Sequence, residues 1–143
     1  MIIKIKKLTE TPTPHKAHRS DACFDVYATS MRDLGDGRIE YGLGIALQPQ
    51  ILGCGLQFDF RARSSVHKTG LILANCVGTG DESFCGEYKA VFYNILPDLP
   101  NYKIGDRILQ MQCTKPVGIE FEVVEEFEET ERGTGGFGST GLR

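Results

Sequence analysis

The chain has 143 residues, of which 41% are hydrophobic and 24% charged, a composition that excludes a disordered chain and favours one globular domain. The formal net charge of −3, with no basic stripe, argues against nucleic acid as the main partner. Residues 1–7 alternate isoleucine with lysine and lack the apolar run of a signal peptide or a spanning helix. We therefore expect no membrane association and a cytoplasmic location, or the host cytoplasm for a viral or phage gene.

The predicted secondary structure is one strand after another. Ile3 and Ile5 alternate with lysines, as in an edge or half-buried strand, and a proline-containing loop follows over residues 11–22. Further segments with β-type patterning span residues 22–28, 39–47, 56–61, 88–94, 102–112 and 119–124, with a turn at residues 34–37. No segment has a helical period longer than about three turns. The sequence therefore predicts an all-β fold, an antiparallel jelly-roll-like barrel or sandwich.

The cysteines and histidines indicate neither a disulfide framework nor a metal centre. The five scattered cysteines form no Cys-x-x-Cys pair, so reduced thiols are expected. The three histidines have no acid or cysteine at ligand spacing around them. We therefore expect no metal held by a cluster of protein side chains.

The stretch 61–88 carries the clearest chemical signals. It begins with Arg63, Ser64 and Ser65, with Lys68 close behind, and a guanidinium beside two hydroxyls suits phosphate oxygens. It also contains Asp81, and a carboxylate one hairpin away from a phosphate-binding cluster suits a hydrolase that directs water at phosphorus. However, Arg-Ser-Ser also occurs in ordinary surface loops, and the Gly-x-Gly before Asp81 is commonly a turn. On these residues alone, a phosphate site and a plain loop both remain open.

No internal repeat divides the chain and no linker splits it into separate domains, so residues 1–143 are predicted to form a single domain. Residues 1–124 would form its β core, and residues 125–143 would be an acidic linker followed by a mobile glycine-rich arm. The arm matches the G-x-G-x-x-G pattern of dinucleotide-binding folds, but no βαβ unit surrounds it. It also holds Arg132, Phe137, Ser139 and Thr140, groups that could close over a nucleotide.

Five motifs in order resemble those of the trimeric deoxyuridine triphosphate nucleotidohydrolase (dUTPase) family over nearly the whole chain. They are Ala22-Cys-Phe-Asp25-Val, Arg63-Ser64-Ser65-x-x-Lys68-x-Gly70, Asn75-x-x-Gly78-x-x-Asp81-x-x-Phe84-x-Gly86, Gly105-Asp-Arg107-Ile-x-Gln110 and Arg132-Gly-x-Gly-Gly-Phe137-Gly-Ser-Thr140. Each motif alone is weak evidence, whereas five in register are a specific signal.

The resemblance implies hydrolysis of dUTP to dUMP and pyrophosphate, which limits uracil incorporation into DNA and supplies dUMP for dTMP synthesis. It implies that Asp81 contacts the sugar 3′-hydroxyl and orients the water that attacks the α-phosphorus of a magnesium-bound triphosphate, and that Asp25 binds the Mg²⁺ through water. The implied phosphate ligands are Arg63, Ser64, Ser65, Gln110, Arg132, Ser139 and Thr140. Asn75 would read the uracil and Phe137 would stack on it, and the remaining implied substrate contacts are Gly78, Phe84, Lys89 and Gly138.

The resemblance also implies a homotrimer in which each active site is shared between subunits, with the third motif from one chain and the glycine-rich arm from another. Such an arrangement would explain why a domain of this size leaves its last residues unpacked. We expect no direct nucleic-acid binding and no membrane partner.

Three departures from the family pattern bear on individual roles. Phe84 stands where the family normally has tyrosine, so its ring can fill the space of a ribose 2′-hydroxyl but cannot make the phenol's hydrogen bond. Gly80 stands where a branched apolar residue normally precedes the catalytic acid, and in the first motif Ser20 and Cys23 replace glycines. None of these changes removes a group that the chemistry requires.

Two other functions remain open from the sequence. Deoxycytidine triphosphate deaminases share the fold and the Arg-Ser-Ser segment, but they have an arginine where this chain has Lys68 and a glutamate in the strand that here reads Ala90-Val-Phe-Tyr93. Alternatively, the nucleotide could act as a switch for a protein partner, with catalysis incidental or lost. The complete set of motif acids and phosphate ligands argues against lost catalysis.

Overall fold

The computed structural model describes residues 1–136, which form ten β-strands and one short 3₁₀ helix. The strands are β1 (Ile3–Lys7), β2 (Phe24–Tyr27), β3 (Ser30–Gly35), β4 (Arg38–Gly42), β5 (Ile45–Pro49), β6 (Gln57–Ala62), β7 (Leu71–Leu73), β8 (Val77–Asp81), β9 (Lys89–Asn94) and β10 (Arg107–Thr114). The 3₁₀ helix, Ser64–Lys68, lies between β6 and β7. The predicted all-β class is confirmed.

The strands form two four-stranded sheets and a two-stranded ribbon. Sheet A has the order β2-β10-β6-β8, sheet B the order β3-β4-β9-β7, and β1 pairs with β5. Every strand pair is antiparallel, which confirms the predicted antiparallel architecture. Neighbours in sheet A are distant in sequence, so residues from three of the motifs meet there. No helix in the described range has the length and apolar character needed to cross a bilayer.

The core lies between the two sheets and contains six aromatic side chains among its aliphatic ones. Tyr41, Phe58 and Phe92 have no exposed surface, and the Tyr41 and Phe92 rings meet edge to face at 5.7 Å. Alternation along β6 places Phe58 and Phe60 in this core and Asp59 on the opposite face of sheet A. The Asp59 carboxylate is also buried, and the hydroxyls of Thr79 and Thr114 donate to it at 3.0 and 3.1 Å. The buried charge is therefore hydrogen-bonded, as such burial requires.

Backbone conformation explains where the predicted elements end. The predicted turn at residues 34–37 is confirmed as a β3–β4 hairpin in which Asp36 and Gly37 both have positive φ, 53° and 73°, as a type I′ turn requires. The segment 39–47, predicted as one strand, is split between β4 and β5 because Gly44, at φ 63°, redirects the chain into the ribbon. Gly78 and Gly80, expected in a turn, lie inside β8, where they pair with Phe60 and Phe58 of β6.

The predicted strand over residues 119–124 is absent from the described structure, in which the last strand ends at Thr114. A segment of alternating apolar and polar residues forms a strand only where a sheet edge pairs with it. No sheet edge within residues 1–136 pairs with residues 119–124. Phe121 and Val123 consequently lie 91% and 99% exposed, and Val117 and Ile119 are also exposed. A short apolar segment thus remains uncovered in the single chain.

Candidate active site

Asp25 is the centre of the first group of predicted site residues. It lies on β2, where it pairs across the sheet with Gln110 of β10, so both side chains lie on the same face of sheet A. Its side chain is only 8% exposed, and its two oxygens accept hydrogen bonds from different arginines. The donors are Nε of Arg63 and Nη1 of Arg107, each at 3.0 Å. Asp25, Arg63 and Arg107 therefore form an ion triad, in which the carboxylate is buried and the two arginines are partly exposed.

The triad fixes Arg63 at the point where β6 gives way to the 3₁₀ helix. Charge-assisted hydrogen bonds of this kind are short and directional, and a second donation from Arg63 reaches the carbonyl oxygen of Arg107 at 3.5 Å. A guanidinium has five N–H donors, so Arg63 retains donors for an anion while Asp25 holds its orientation. Arg107 belongs to the fourth motif, but only the structure reveals its contact with Asp25.

Ser64 and Ser65 begin the 3₁₀ helix directly after Arg63. Ser64 is exposed, and none of the side-chain hydrogen bonds within residues 1–136 uses its hydroxyl. Its carbonyl oxygen contacts Nδ1 of His67 at 2.8 Å, so the backbone of this turn is held while the hydroxyl stays available. Arg63, Ser64, Ser65, Asp25 and Gln110 thus lie together as one cationic, hydroxyl-bearing region.

The second group of predicted residues surrounds a cleft of about 150 Å³ between β8 and the start of β9. Its lining includes Phe60, Asn75, Gly78, Gly80, Tyr88 and Lys89. A Cβ atom on Gly78 would lie 3.1 Å from the Asn75 amide nitrogen, so glycine lets that amide approach the strand. The cleft combines an apolar floor with an amide, a pattern that suits a flat polar ring.

Asp81 is the exposed last residue of β8, and Phe84 follows in a turn closed by donation from the Phe84 N–H to the Asp81 carbonyl oxygen at 3.1 Å. The Phe84 ring packs over Gly86, where a Cβ atom would lie 2.6 Å from ring carbon Cζ. Its other neighbour is the Tyr88 ring, edge to face at 5.2 Å. Phe84 is thus held in position beside Asp81 although 44% of it is exposed.

Glu82, which the sequence did not single out, attaches this turn to the loop before β6. Its carboxylate accepts from the N–H groups of Gly53, Gly55 and Leu56 at 2.8, 3.1 and 3.3 Å, and from the Cys54 thiol at 3.2 Å. These donors, the Cys54 thiol first, hold the pKa of Glu82 below its ordinary value of 4.5. Because Glu82 adjoins Asp81, the attachment limits where the catalytic candidate can move. Its partners are 26 to 29 positions away, so no local sequence signal marks it.

We expect the loop attachment to weaken below pH 4.5. The lowered pKa means that the ionised carboxylate contributes stability above its ordinary value of 4.5, and that this contribution is lost as pH falls through the lower folded-state pKa. Amide chemical shifts of Gly53 and Gly55, followed from about pH 6 to about pH 3, should report this loss as one titration. The control is Glu82→Gln, in which the same amide shifts should be independent of pH. Invariant shifts in the wild-type protein would disprove the attachment.

Arg63 of the first group and Asp81 of the second do not meet within one chain. Arg63 directly follows the last residue of β6, whereas Asp81 pairs with Gln57, the first residue of the same strand. At the rise of an extended strand, this places their backbones about 20 Å apart. A general base must lie within hydrogen-bond reach of the water it activates. One chain alone therefore does not combine the candidate phosphate ligands with the candidate base.

The remaining predicted residues have varied positions. Lys89 lines the cleft, and its ammonium donates to Glu40 at 3.4 Å. Arg132 is exposed in a turn of the C-terminal segment, where its Nε donates to the Gly135 carbonyl oxygen at 3.0 Å. The other predicted contacts of the arm, Phe137, Gly138, Ser139 and Thr140, lie outside the described residues. Residues 1–136 contain no cluster of three or more histidines, cysteines or acids that could hold a metal.

Comparisons with known proteins agree with this fold and these motifs. A family model described as dUTPase matches residues 9–141. The deoxyuridine 5′-triphosphate nucleotidohydrolase of Corynebacterium glutamicum is 39% identical over 142 residues, which cover 97% of this chain and 94% of that protein. The enzyme of the same name from Finegoldia magna is 35% identical over 146 residues, covering 99% of each.

Solved structures share the fold. The dUTPase of Staphylococcus bacteriophage 80alpha, solved with dUpNHpp, superposes with a TM-score of 0.79 at 24% identity over 99% of each chain. A variant of the dUTPase from phage phi11 of S. aureus, with a structural Mg(II) ion, superposes with a TM-score of 0.70 at 21% identity over 90% of this chain and 100% of that one. With a family model matching nearly the whole chain and relatives at 35–39% identity over almost their full length, this chain belongs to the dUTPase family.

Proposed function

We propose that the protein hydrolyses dUTP to dUMP and pyrophosphate. The observation that carries this proposal is the 39% identity, over nearly the full length of both chains, to a deoxyuridine 5′-triphosphate nucleotidohydrolase. The geometry supports it, because a cationic hydroxyl-bearing region suits a triphosphate and the cleft suits a pyrimidine base. In the cell, this reaction would limit uracil incorporation into DNA and supply dUMP for dTMP synthesis in the cytoplasm, or the host cytoplasm. It needs no contact with nucleic acid or membrane.

The triphosphate would lie along the region formed by Arg63, Ser64, Ser65 and Gln110. The guanidinium of Arg63, oriented by buried Asp25, donates to phosphate oxygens, and the exposed Ser64 hydroxyl donates beside it. The C-terminal arm would close over the nucleotide and add donors. Its proposed contacts with the phosphates and the base are Arg132, Phe137, Gly138, Ser139 and Thr140.

The nucleoside would occupy the cleft beside β8. The Asn75 amide, together with the backbone at Gly78, offers both donors and acceptors to the edge of uracil. Phe84 would pack against the deoxyribose, and Lys89 at the rim would face the nucleotide. A polar readout of this kind discriminates strongly, since a wrong base would cover these groups and leave them without partners.

Hydrolysis would proceed by attack of water on the α-phosphorus. The Asp81 carboxylate takes a proton from that water, the new P–O bond forms, and the bond from the α-phosphorus to the bridging oxygen breaks to release pyrophosphate. Apart from this proton transfer, the chain positions the reactants: Arg63 and Gln110 hold the phosphates in line, and Asp81 holds the water and the sugar 3′-hydroxyl.

The substrate would be the magnesium complex of dUTP. The described residues contain no cluster for a dedicated metal cage, and Mg²⁺ in nucleotide sites is held largely by phosphates and water. A carboxylate has about four lone-pair positions, and Asp25 uses two of them on Arg63 and Arg107. This arrangement suits a contact through the water shell of the metal better than direct ligation. The bound Mg²⁺ would neutralise charge on the phosphates during the reaction.

A homotrimer with shared sites would bring the two separated groups together. One subunit would contribute Arg63 and its neighbours, and the next would contribute Asp81. The two residues could then act together although their backbones are about 20 Å apart within one chain. The exposed apolar segment gives independent support. The side chains of Val117, Ile119, Phe121 and Val123 alternate and are 69–99% exposed, as expected of a strand that pairs with another subunit.

Pyrophosphate release from dUTP, dCTP, dTTP and UTP, each with and without magnesium, tests the proposed reaction. We expect fast magnesium-dependent release from dUTP alone, with dUMP as the nucleotide product. Ammonia release from dCTP would instead identify a deaminase. Tight binding of dUTP without turnover of any substrate would assign the protein to the class of nucleotide-binding switches.

A further inference from the structure

Tyr88 is a buried phenol that the proposed mechanism does not use. It lies just before β9 and is only 6% exposed. Its backbone is held on both sides, because its N–H donates to the Ile45 carbonyl oxygen and its carbonyl oxygen accepts from the Leu43 N–H, each at 3.0 Å. These two bonds fix the backbone of Tyr88 against the chain between the end of β4 and the start of β5.

The Tyr88 ring lies directly on the α-carbon of Gly80. A Cβ atom at position 80 would be 2.4 Å from ring carbon Cε1 and 2.8 Å from the phenol oxygen. No side chain larger than hydrogen fits there unless Tyr88 moves, so the two residues are complementary. On its other side, the Tyr88 ring meets the Phe60 ring at 4.7 Å. The hydroxyl therefore lies beside Gly80, the residue before Asp81.

The Tyr88 hydroxyl has no hydrogen-bond partner within residues 1–136. A buried hydroxyl without a partner is unfavourable, and native proteins rarely retain one without a reason. Tyr88 also lines the nucleoside cleft together with Asn75, Gly78 and Gly80. Tyr88, whose hydroxyl is buried and unsatisfied, is thus one of the residues that line the cavity that would receive a polar ligand.

We propose that the Tyr88 hydroxyl binds the nucleoside, by donating a hydrogen bond to one of its oxygens in the cleft beside Gly80. This inference rests on the proposed function, because it takes the ligand to be a deoxyuridine nucleotide. Phe84, the neighbouring aromatic residue, presents a ring without a polar atom, so Tyr88 provides the phenol of this cleft. Gly80 contributes to this arrangement because its lack of a side chain leaves the space that the Tyr88 phenol occupies.

The electrostatics of the cleft suit such a donor. Burial, followed by the nearby charge of Asp81, raises the pKa of Tyr88 to about 12. The hydroxyl therefore remains protonated throughout the physiological range and can donate to a sugar or carbonyl oxygen. An acceptor, the Asp81 carboxyl group, and a neutral donor, the Tyr88 hydroxyl, would then act on the same nucleoside, which is how a site distinguishes a hydroxyl from an apolar group.

Tyr88→Phe removes the hydroxyl and keeps the ring, and Tyr41→Phe is its matched control. Tyr41 is fully buried away from the cleft, and its hydroxyl donates to the Tyr102 carbonyl oxygen at 3.1 Å. Calorimetry with a non-hydrolysable imido analogue of dUTP should give a Kd about tenfold higher for Tyr88→Phe, the loss of one hydrogen bond, and an unchanged Kd for Tyr41→Phe. Thermal unfolding should show the reverse: a lower Tm for Tyr41→Phe, and a Tm for Tyr88→Phe that is unchanged or higher.

The same titration with a 3′-deoxy form of the analogue identifies the oxygen. A loss of affinity in Tyr88→Phe for the 3′-hydroxyl ligand alone places the bond on the sugar, and an equal loss for both ligands places it on the base. An equal Kd for wild type and Tyr88→Phe would overturn the inference while leaving the proposed function intact. Failure of the wild-type protein to bind the dUTP analogue would overturn the proposed function itself.

Discussion

Asp81→Asn is expected to reduce kcat for dUTP hydrolysis by about a thousandfold, the contribution of a positioned general base. Asparagine has the shape of aspartate and can still hydrogen-bond a sugar hydroxyl, but it cannot take a proton from water. We therefore expect the Kd for the non-hydrolysable dUTP analogue to change by less than about threefold, because ground-state contacts persist. Pyrophosphate release under single-turnover conditions measures the chemical step directly.

The control for this substitution is Asp98→Asn, the same chemical change at an exposed acid in the loop after β9. This variant should retain wild-type turnover. Substantial turnover in Asp81→Asn would move the general base to another group. A large loss of nucleotide affinity in Asp81→Asn would instead indicate that the residue acts mainly in binding.

Much of the fold could be predicted from local sequence patterns, because strand alternation and turn conformation both depend on neighbouring residues. The alternation of residues 56–61 reflects one buried and one outward face, and Phe58 and Phe60 do enter the core. The turn at residues 34–37 follows from the need for positive φ at Asp36 and Gly37. Neither feature depends on a distant partner.

The departures from prediction arise where distant partners decide the structure. Gly78 and Gly80 favour a turn locally, but pairing with β6 makes them part of a strand. The segment 119–124 has strand alternation and no edge to pair with among the described residues. The availability of a partner strand therefore overrides local propensity. It makes a strand of glycines that favour a turn, and its absence leaves an alternating segment unpaired.

The contacts in the candidate site also depend on residues that are distant in sequence. The motifs identified Asp25 and Arg63, but the ion triad joins Asp25 to residues 38 and 82 positions away. Glu82 and Tyr88 fell outside the predicted site because their roles depend on the loop before β6 and on the surface of Gly80. The sequence thus identified the side chains with the relevant chemistry, whereas the contacts that orient each of them could be seen only in the folded structure.

Mixing two inactive variants is expected to restore activity if each site takes Arg63 and Ser64 from one subunit and Asp81 from the next. Ser64→Ala removes an exposed hydroxyl that makes no hydrogen bond within the described structure, so its fold should be intact. The loss of one phosphate donor should reduce turnover by about a hundredfold or more. Asp81→Asn supplies the complementary defect on the other group.

In random trimers formed from equal amounts of the two variants, about three quarters contain both kinds of subunit. Each mixed trimer has a single interface at which an intact Ser64 meets an intact Asp81, so one of its three sites is restored. Coexpressed or jointly refolded subunits should therefore reach about one quarter of wild-type turnover. Light scattering on the same sample should give the mass of three chains.

The outcome separates two architectures that a single variant does not distinguish. If the complete site lay within one chain, every subunit in the mixture would carry one defect, and no activity would return at any ratio of the variants. A mass of one chain by light scattering would likewise contradict the shared site. Recovery at one quarter, by contrast, would require Arg63 and Asp81 to act across a subunit boundary, which is how groups separated by about 20 Å along β6 can serve one phosphorus atom.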